Sequence, residues 1–190
     1  MTIDQKIKDD FLKYGIILGV ILLALSIFSY YFITQMITSP ALFVAAPIMF
    51  SLFIPIVITV FLCFNGRKRI GGYWTFKQAT TGIFIMFLTA YILQFIGKDI
   101  IFDKVIEPQG IQKTQLAAIN AKTTIAKQRG EDQKSIDKDL AEMKKDFELQ
   151  QNSNVGSIIQ GFVISILFVF LFALIFGSLF KKDPPVYQAQ

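Results

Sequence analysis

Four long apolar runs, Gly15 to Met36, Ala41 to Phe64, Ala79 to Gly97 and Ser157 to Phe180, contain no Lys, Arg, Asp, Glu or His. A helix needs about 20 mostly apolar residues to cross a hydrocarbon layer, and each run reaches that length. The chain therefore reads as an all-α membrane protein with four transmembrane helices. In the last run, 17 of 24 residues are Ile, Leu, Val or Phe, each of which favours insertion. The first run follows Lys6, Lys8 and Lys13, as a secretory signal would. It is longer than a signal's apolar region, and no small-x-small site follows it, so it is read as a retained span.

An apolar share of 53%, with 20 Phe and a mean hydropathy of +0.52, exceeds what a soluble domain of this length carries. The net charge of +5 sits at the ends of the spans and not along one soluble face, which favours lipid headgroups over nucleic acid. With Cys63 as the single cysteine, no internal disulfide or multi-thiolate metal site can form. The absence of histidine removes a Ser-His-Asp triad and His-based metal sites. No phosphate-cradling glycine loop is present, and Gly71-Gly72 lacks the strand and helix context of a nucleotide motif. The expectation is a non-enzymatic protein with no catalytic residue, no metal and no cofactor.

Basic residues set the expected topology. Lys6, Lys8 and Lys13 precede the first run, Arg67, Lys68, Arg69 and Lys77 separate the second from the third, and Lys181 and Lys182 follow the fourth. The turn Ile37-Thr38-Ser39-Pro40 carries none. By the positive-inside rule both termini and the Asn65 to Lys77 loop face the cytoplasm, and the segment between the third and fourth runs lies outside. The expected organisation is a membrane segment over 1–102 (spans 15–36, 41–64 and 79–97), an extracytoplasmic helical hairpin over 103–156, a last span over 157–180 and a cytoplasmic tail over 181–190.

The 103–156 segment holds nine basic and nine acidic residues. Ile136, Leu140, Met143 and Phe147 recur at helical spacing and form an expected contact stripe, and Leu116, Ile119, Thr123 and Ala126 repeat it upstream. Arg129-Gly130-Glu131-Asp132 supplies a glycine stop and acidic residues suited to a new helix start. Two antiparallel helices follow from this pattern.

Within the spans, Pro47 and Pro55 each remove a backbone donor, so the second helix is expected to kink, either as a plain bend or as a hinge. Tyr30, Tyr31, Gln35, Tyr91, Gln94 and Gln160 fall in the outer half, as a polar pocket for a lipid or glycan head group or as an interfacial belt with interhelical hydrogen bonds. Gly15 and Gly19 would allow close helix contact, including in a homo-oligomer. Lys98 and Asp99 stand where they would pair at the outer interface. No ionisable group lies deeper, which argues against a proton-coupled transporter. In the basic turn, Arg67, Lys68, Arg69 and Lys77 are placed to hold anionic headgroups, with Tyr73 and Trp74 at the interface.

The string Gly71-Gly72-Tyr73-Trp74-Thr75-Phe76-Lys77-Gln78-Ala79, the later Ile106-Glu107-Pro108, the polar hairpin and a last span ending in Lys181-Lys182 resemble domain of unknown function 4199, a group of small bacterial four-span proteins. The resemblance implies a bacterial inner-membrane location and supplies no catalytic residue. It also implies association with a membrane glycosyltransferase acting on polyprenyl phosphate, and hence cell-envelope glycan work. The combined expectation is an accessory or scaffold protein, in contact with membrane lipids and with a protein partner or its own copy. The alternative is a carrier or flippase subunit for a lipid-linked cell-envelope glycan.

Overall fold

The computed structural model describes residues 2–36, 39–151 and 155–183, and among them every regular element is helical. Helix α1 spans Ile3–Tyr31 and α2 Pro40–Ile48; α3 covers Ile54–Arg69, α4 Phe76–Gln94, α5 Gly110–Gln128, α6 Gln133–Gln151 and α7 Val155–Phe180. Three π-helical stretches, Phe32–Met36, Met49–Phe53 and Phe95–Ile106, extend these helices. Four segments are long and apolar enough to cross a membrane: Ile3–Met36, Ala41–Arg69, Phe76–Ile106 and Gly156–Phe180. Side chains that face outward from them are largely apolar, as in Val57, Phe61, Leu167 and Phe168. That surface suits lipid and not water.

The first segment begins before its charge-free run, the second ends after its run and the third outruns its own at both ends, because charge ends a hydropathy window but not a helix. At the start of α1, Ile7, Phe11, Tyr14 and Leu18 recur every three or four residues and are all buried, while Lys6, Lys8 and Lys13 are exposed. The third segment runs on through Lys98, Asp99, Asp103 and Lys104 as a π-helix. There Lys98 pairs with Asp103 and not with its neighbour Asp99. Adjacent residues on a helix point apart, whereas five residues return to the same side of the wider π turn.

Contacts divide the chain into two compact units that cut across the helices. Unit 1 comprises Met1–Leu22, Pro55–Phe95 and Gly161–Gln190, and unit 2 comprises Leu23–Ile54 and Ile96–Gln160. Unit 1 holds an aromatic and aliphatic core around Phe11, Leu62, Cys63, Trp74, Ile83 and Met86. Its helices approach closely at glycines. A Cβ on Gly66 would stand 2.3 Å from the Phe11 ring, and one on Gly177 would stand 3.0 Å from the Thr80 Cα. Gly15 and Gly19 are used in the same way, against Met86 and Thr89 and against Ala90 and Leu93 of α4. That small-xxx-small pair is thus spent within the chain.

Along the second span, Pro47 and Pro55 leave a π-helix between them. The ring of Pro55 obstructs the carbonyl four residues back, and the Met49–Phe53 stretch absorbs the conflict by bonding five apart, as in Ile54 N–H to Met49 O. The Ser51 hydroxyl also donates to Pro47 O at 2.5 Å. Helix α5 ends as expected at Gly130, whose φ of 72° lies in the left-handed region. Glu131 N–H reaches Ala126 O and Gly130 N–H reaches Lys127 O, the paired bonds that close a helix end on glycine. Asp132 O then receives the N–H groups of Ser135 and Ile136 as α6 begins.

Helices α5 and α6 pack together, and Lys122 Nζ meets Asp139 Oδ2 at 2.7 Å. On α6, Ile136 is buried and Leu140, Met143 and Phe147 are half-buried. The α5 stripe needs correction, since Leu116 is 62% exposed and the buried residues are Gly110, Ala121 and Ala126. The reason is a second neighbour: α5 also packs against α2 and Phe32–Met36, and small side chains fit that contact. The hydrogen bond from Lys122 to Asp139 holds the lysine above its ordinary value of 10.5, and that from Lys113 to Glu107 does the same for Lys113.

Candidate membrane-interface site

The basic segments of the sequence meet at one end of unit 1. Helix α3 closes with Arg67, Lys68 and Arg69 in its last turn, where cations offset the exposed carbonyls of the helix end. Gly72 N–H then bonds Arg67 O at 2.9 Å and Gly71 N–H bonds Lys68 O at 3.3 Å. The chain reverses through Gly71 and Gly72, with φ values of 103° and 85° that a side chain rarely adopts. Helix α4 starts at once with a capping box, in which Thr75 Oγ1 accepts from Gln78 N–H and Gln78 Oε1 accepts from Thr75 N–H. The Thr75-x-x-Gln78 pattern was available in the sequence.

Trp74 joins this turn to the end of the fourth span. Its backbone exchanges two hydrogen bonds with Lys182, 2.9 and 3.1 Å long, in an isolated antiparallel bridge. Its indole Nε1–H donates to Phe180 O at 2.5 Å, and Arg67 reaches the same carbonyl at 3.4 Å. The ring lies 5.3 Å from that of Phe11. At 1% exposure Trp74 has no surface left for lipid, so the interfacial place expected for it goes to Tyr73, which is exposed and carries Lys182 Nζ 5.2 Å above its ring.

The start of α1 completes the assembly. Lys6 Nζ donates to Arg69 O at 2.8 Å, Arg69 approaches Asp10 at 3.9 Å, and the Arg69 guanidinium lies 5.8 Å from the Tyr14 ring centroid. A groove of about 380 Å³ opens nearby, lined by Asp4, Lys8, Thr75, Lys77 and Gln78. Lys77 and Lys8 are exposed there, and Lys77 sits in the first turn of α4, where no helix-end carbonyl needs it. The starts of α1 and α4 and the ends of α3 and α7 thus bring Arg67, Lys68, Arg69, Lys77, Lys6 and Lys182 into one electropositive rim.

The six residues expected as an outer polar cluster belong to both units, Tyr30, Tyr31, Gln35 and Gln160 to unit 2 and Tyr91 and Gln94 to unit 1. Tyr30 and Tyr31 meet each other at 5.1 Å and both meet Phe102, at 5.3 and 5.9 Å, within unit 2. Tyr91 lies in unit 1 with Phe95 and Phe162 as ring neighbours, and Gln94 is half-buried there. Gln35 and Gln160 are exposed. Pro47 and Pro55 flank the π-helix already described. Among the described residues no group of three or more Asp, Glu, Cys or His side chains is placed to hold a metal ion.

A family model, described as a protein of unknown function, DUF4199, matches residues 13–182. The chain belongs to the DUF4199 family. The matched stretch includes every rim residue but Lys6, Trp74 with its partner Lys182, and both helices of the α5–α6 pair. No curated protein and no solved structure matches the chain.

Proposed function

We propose that this multi-pass membrane protein is a non-enzymatic accessory or scaffold protein of the bacterial inner membrane. In this reading α5 and α6 form an extracytoplasmic hairpin that binds a partner, and the electropositive rim holds cytoplasmic-leaflet headgroups. The observation that carries it is the unclaimed surface of α6. Ile136 is its one buried residue among those whose side chains are described, and Leu149 is 65% exposed in a helix dense in charge. Leu140, Met143 and Phe147 are half-buried on the same stripe, and a helix packed along one stripe with its charged remainder open is suited to recognition. A membrane glycosyltransferase, with surfaces of its own outside the bilayer, is the partner class the reading favours. Each rim cation near an anionic surface contributes about 1 kcal/mol to attraction.

The carrier alternative rests on the π-helix between Pro47 and Pro55, and the two readings separate in one experiment. Residues 131–151 are replaced by a Gly/Ser linker of equal length, and in a second variant Pro47 and Pro55 become Ala. Co-purification in mild detergent is scored together with movement of a lipid-linked substrate across vesicles. The scaffold reading expects partner retention to be lost with the linker and kept with the double Ala change. Loss of substrate movement in the proline variant, with the linker variant unaffected, would hand the function to the carrier.

A further inference from the structure

Unit 2 contains a cavity of about 270 Å³ that the sequence does not announce. Ile33 and Phe50 form part of its wall, and Tyr30, Ser29, Ser51 and Thr114 supply hydroxyl-bearing side chains. No charged residue lines it. Its walls are π-helical in part, since Ile33 belongs to Phe32–Met36 and Phe50 and Ser51 to Met49–Phe53, and π turns inside helices are often found at functional sites.

The polar groups are unequally satisfied. Ser51 Oγ donates to Pro47 O and Thr114 Oγ1 to Gly110 O, so both hydroxyl protons are engaged on their own helices. Tyr30 is 9% exposed, and its hydroxyl is buried with no hydrogen-bond partner. Its ring packs edge-on against Tyr31 and Phe102 at 5.1 and 5.3 Å, and Gly110, buried at the start of α5, faces its other edge. A fixed, buried O–H inside a membrane-spanning segment calls for an acceptor from elsewhere.

We infer that the Tyr30 cavity is a lipid site that receives the ester carbonyl of a glycerolipid acyl chain, with Tyr30 O–H donating to the carbonyl and Ile33 and Phe50 packing on the first methylenes. Three observations select this ligand class. The lining is uncharged and the nearest cation, Lys113, is paired with Glu107, which favours a neutral acceptor over a phosphate. The free group is a donor, which requires an acceptor. The volume lies below the ~300–1,000 Å³ of pockets that enclose a whole drug-sized molecule, so it fits part of a lipid and not a glycan head group. The inference does not depend on the scaffold reading.

The test uses the full chain in phosphatidylcholine nanodiscs with two probes. One is a diester phosphatidylcholine with a diazirine on the acyl chain close to the ester, and the other is its diether analogue, which lacks the carbonyl. Labelling of the peptides bearing Phe50 and Thr114 is read by mass spectrometry. The diester should label them about three to ten times more than the diether, the factor expected of one net hydrogen bond. Tyr30→Phe should bring the diester down to the diether level and leave the diether unchanged, and Ser29→Leu, by filling the cavity, should suppress both. Absence of label on these peptides, or equal labelling by both probes in the wild type, overturns the site. So does protection by octyl glucoside without any ester preference. The wild-type comparison needs no variant, so a misfolded mutant cannot obscure the result.

Discussion

Trp74 is the only tryptophan in the chain, which makes its surroundings directly measurable. Its position in the sequence, beside a basic turn at a span end, matches the pattern of an interfacial anchor. That pattern is ambiguous because the same amphipathic ring serves equally to fill a core and donate one hydrogen bond. What decides between the two is Phe180, more than a hundred residues away, and no local signal reveals that partner. Emission from Trp74 should therefore be blue-shifted and resistant both to iodide and to brominated lipid. Trp74→Phe keeps most of the packing but removes the indole N–H, and should cost about 1–3 kcal/mol in chemical unfolding in detergent. Strong quenching by brominated lipid, with wild-type stability in the Phe variant, would return the residue to the interface.

At the scale of elements, the spans and the α5–α6 pair were legible for different reasons. The spans announce themselves by length and absence of charge, and Gly130 marks the helix break because only glycine tolerates the backbone angle there. The π-helices were not legible. Pro47 and Pro55 foretold a disturbance, but whether it becomes a bend or a widened turn depends on which bonding pattern satisfies the backbone, and that is set after packing. On α5, Ala126 is buried and Ile119 and Thr123 are half-buried as expected, but Leu116 is exposed, because periodicity locates an apolar stripe without saying which neighbour it meets. The buried residue of α6 gives a sharp expectation. Ile136→Asp should raise hydrogen exchange throughout residues 110–149, because a carboxylate at a 2% exposed site finds no solvent. Leu140→Asp, at a half-buried site, should do so far less, and exchange in unit 1 should stay at its wild-type level in both. Equal exchange in the two variants would show that the stripe is not what holds α6.

For the whole molecule the prediction is orientation. The structure brings the basic segments of unit 1 to one rim, so the start of α1 and the end of α7 lie at the same side of that unit, as the count of basic residues requires. Cysteines placed singly at Gln133 and Asp183 in a Cys63→Ala background should behave oppositely toward an impermeant thiol reagent in intact cells. Gln133 should react and Asp183 should not; the reverse result would invert the topology. The native thiol is 0% exposed and gives the reagent little to reach, and its removal leaves the introduced cysteine as the single thiol of each variant. Fold class, span number and the gathering of charge could all be reached from the sequence, whereas the division into two units could not, since it depends on contacts between residues far apart along the chain. The bridge between Trp74 and Lys182 has one further consequence, for biogenesis. Phe180 and Lys182 follow Trp74 by more than a hundred residues, so the core of unit 1 can close only after the α5–α6 pair and the whole fourth span have been made. Until then the nascent chain carries an unfilled indole contact next to a basic turn, the kind of unfinished surface that membrane chaperones and proteases use to judge whether a protein is complete.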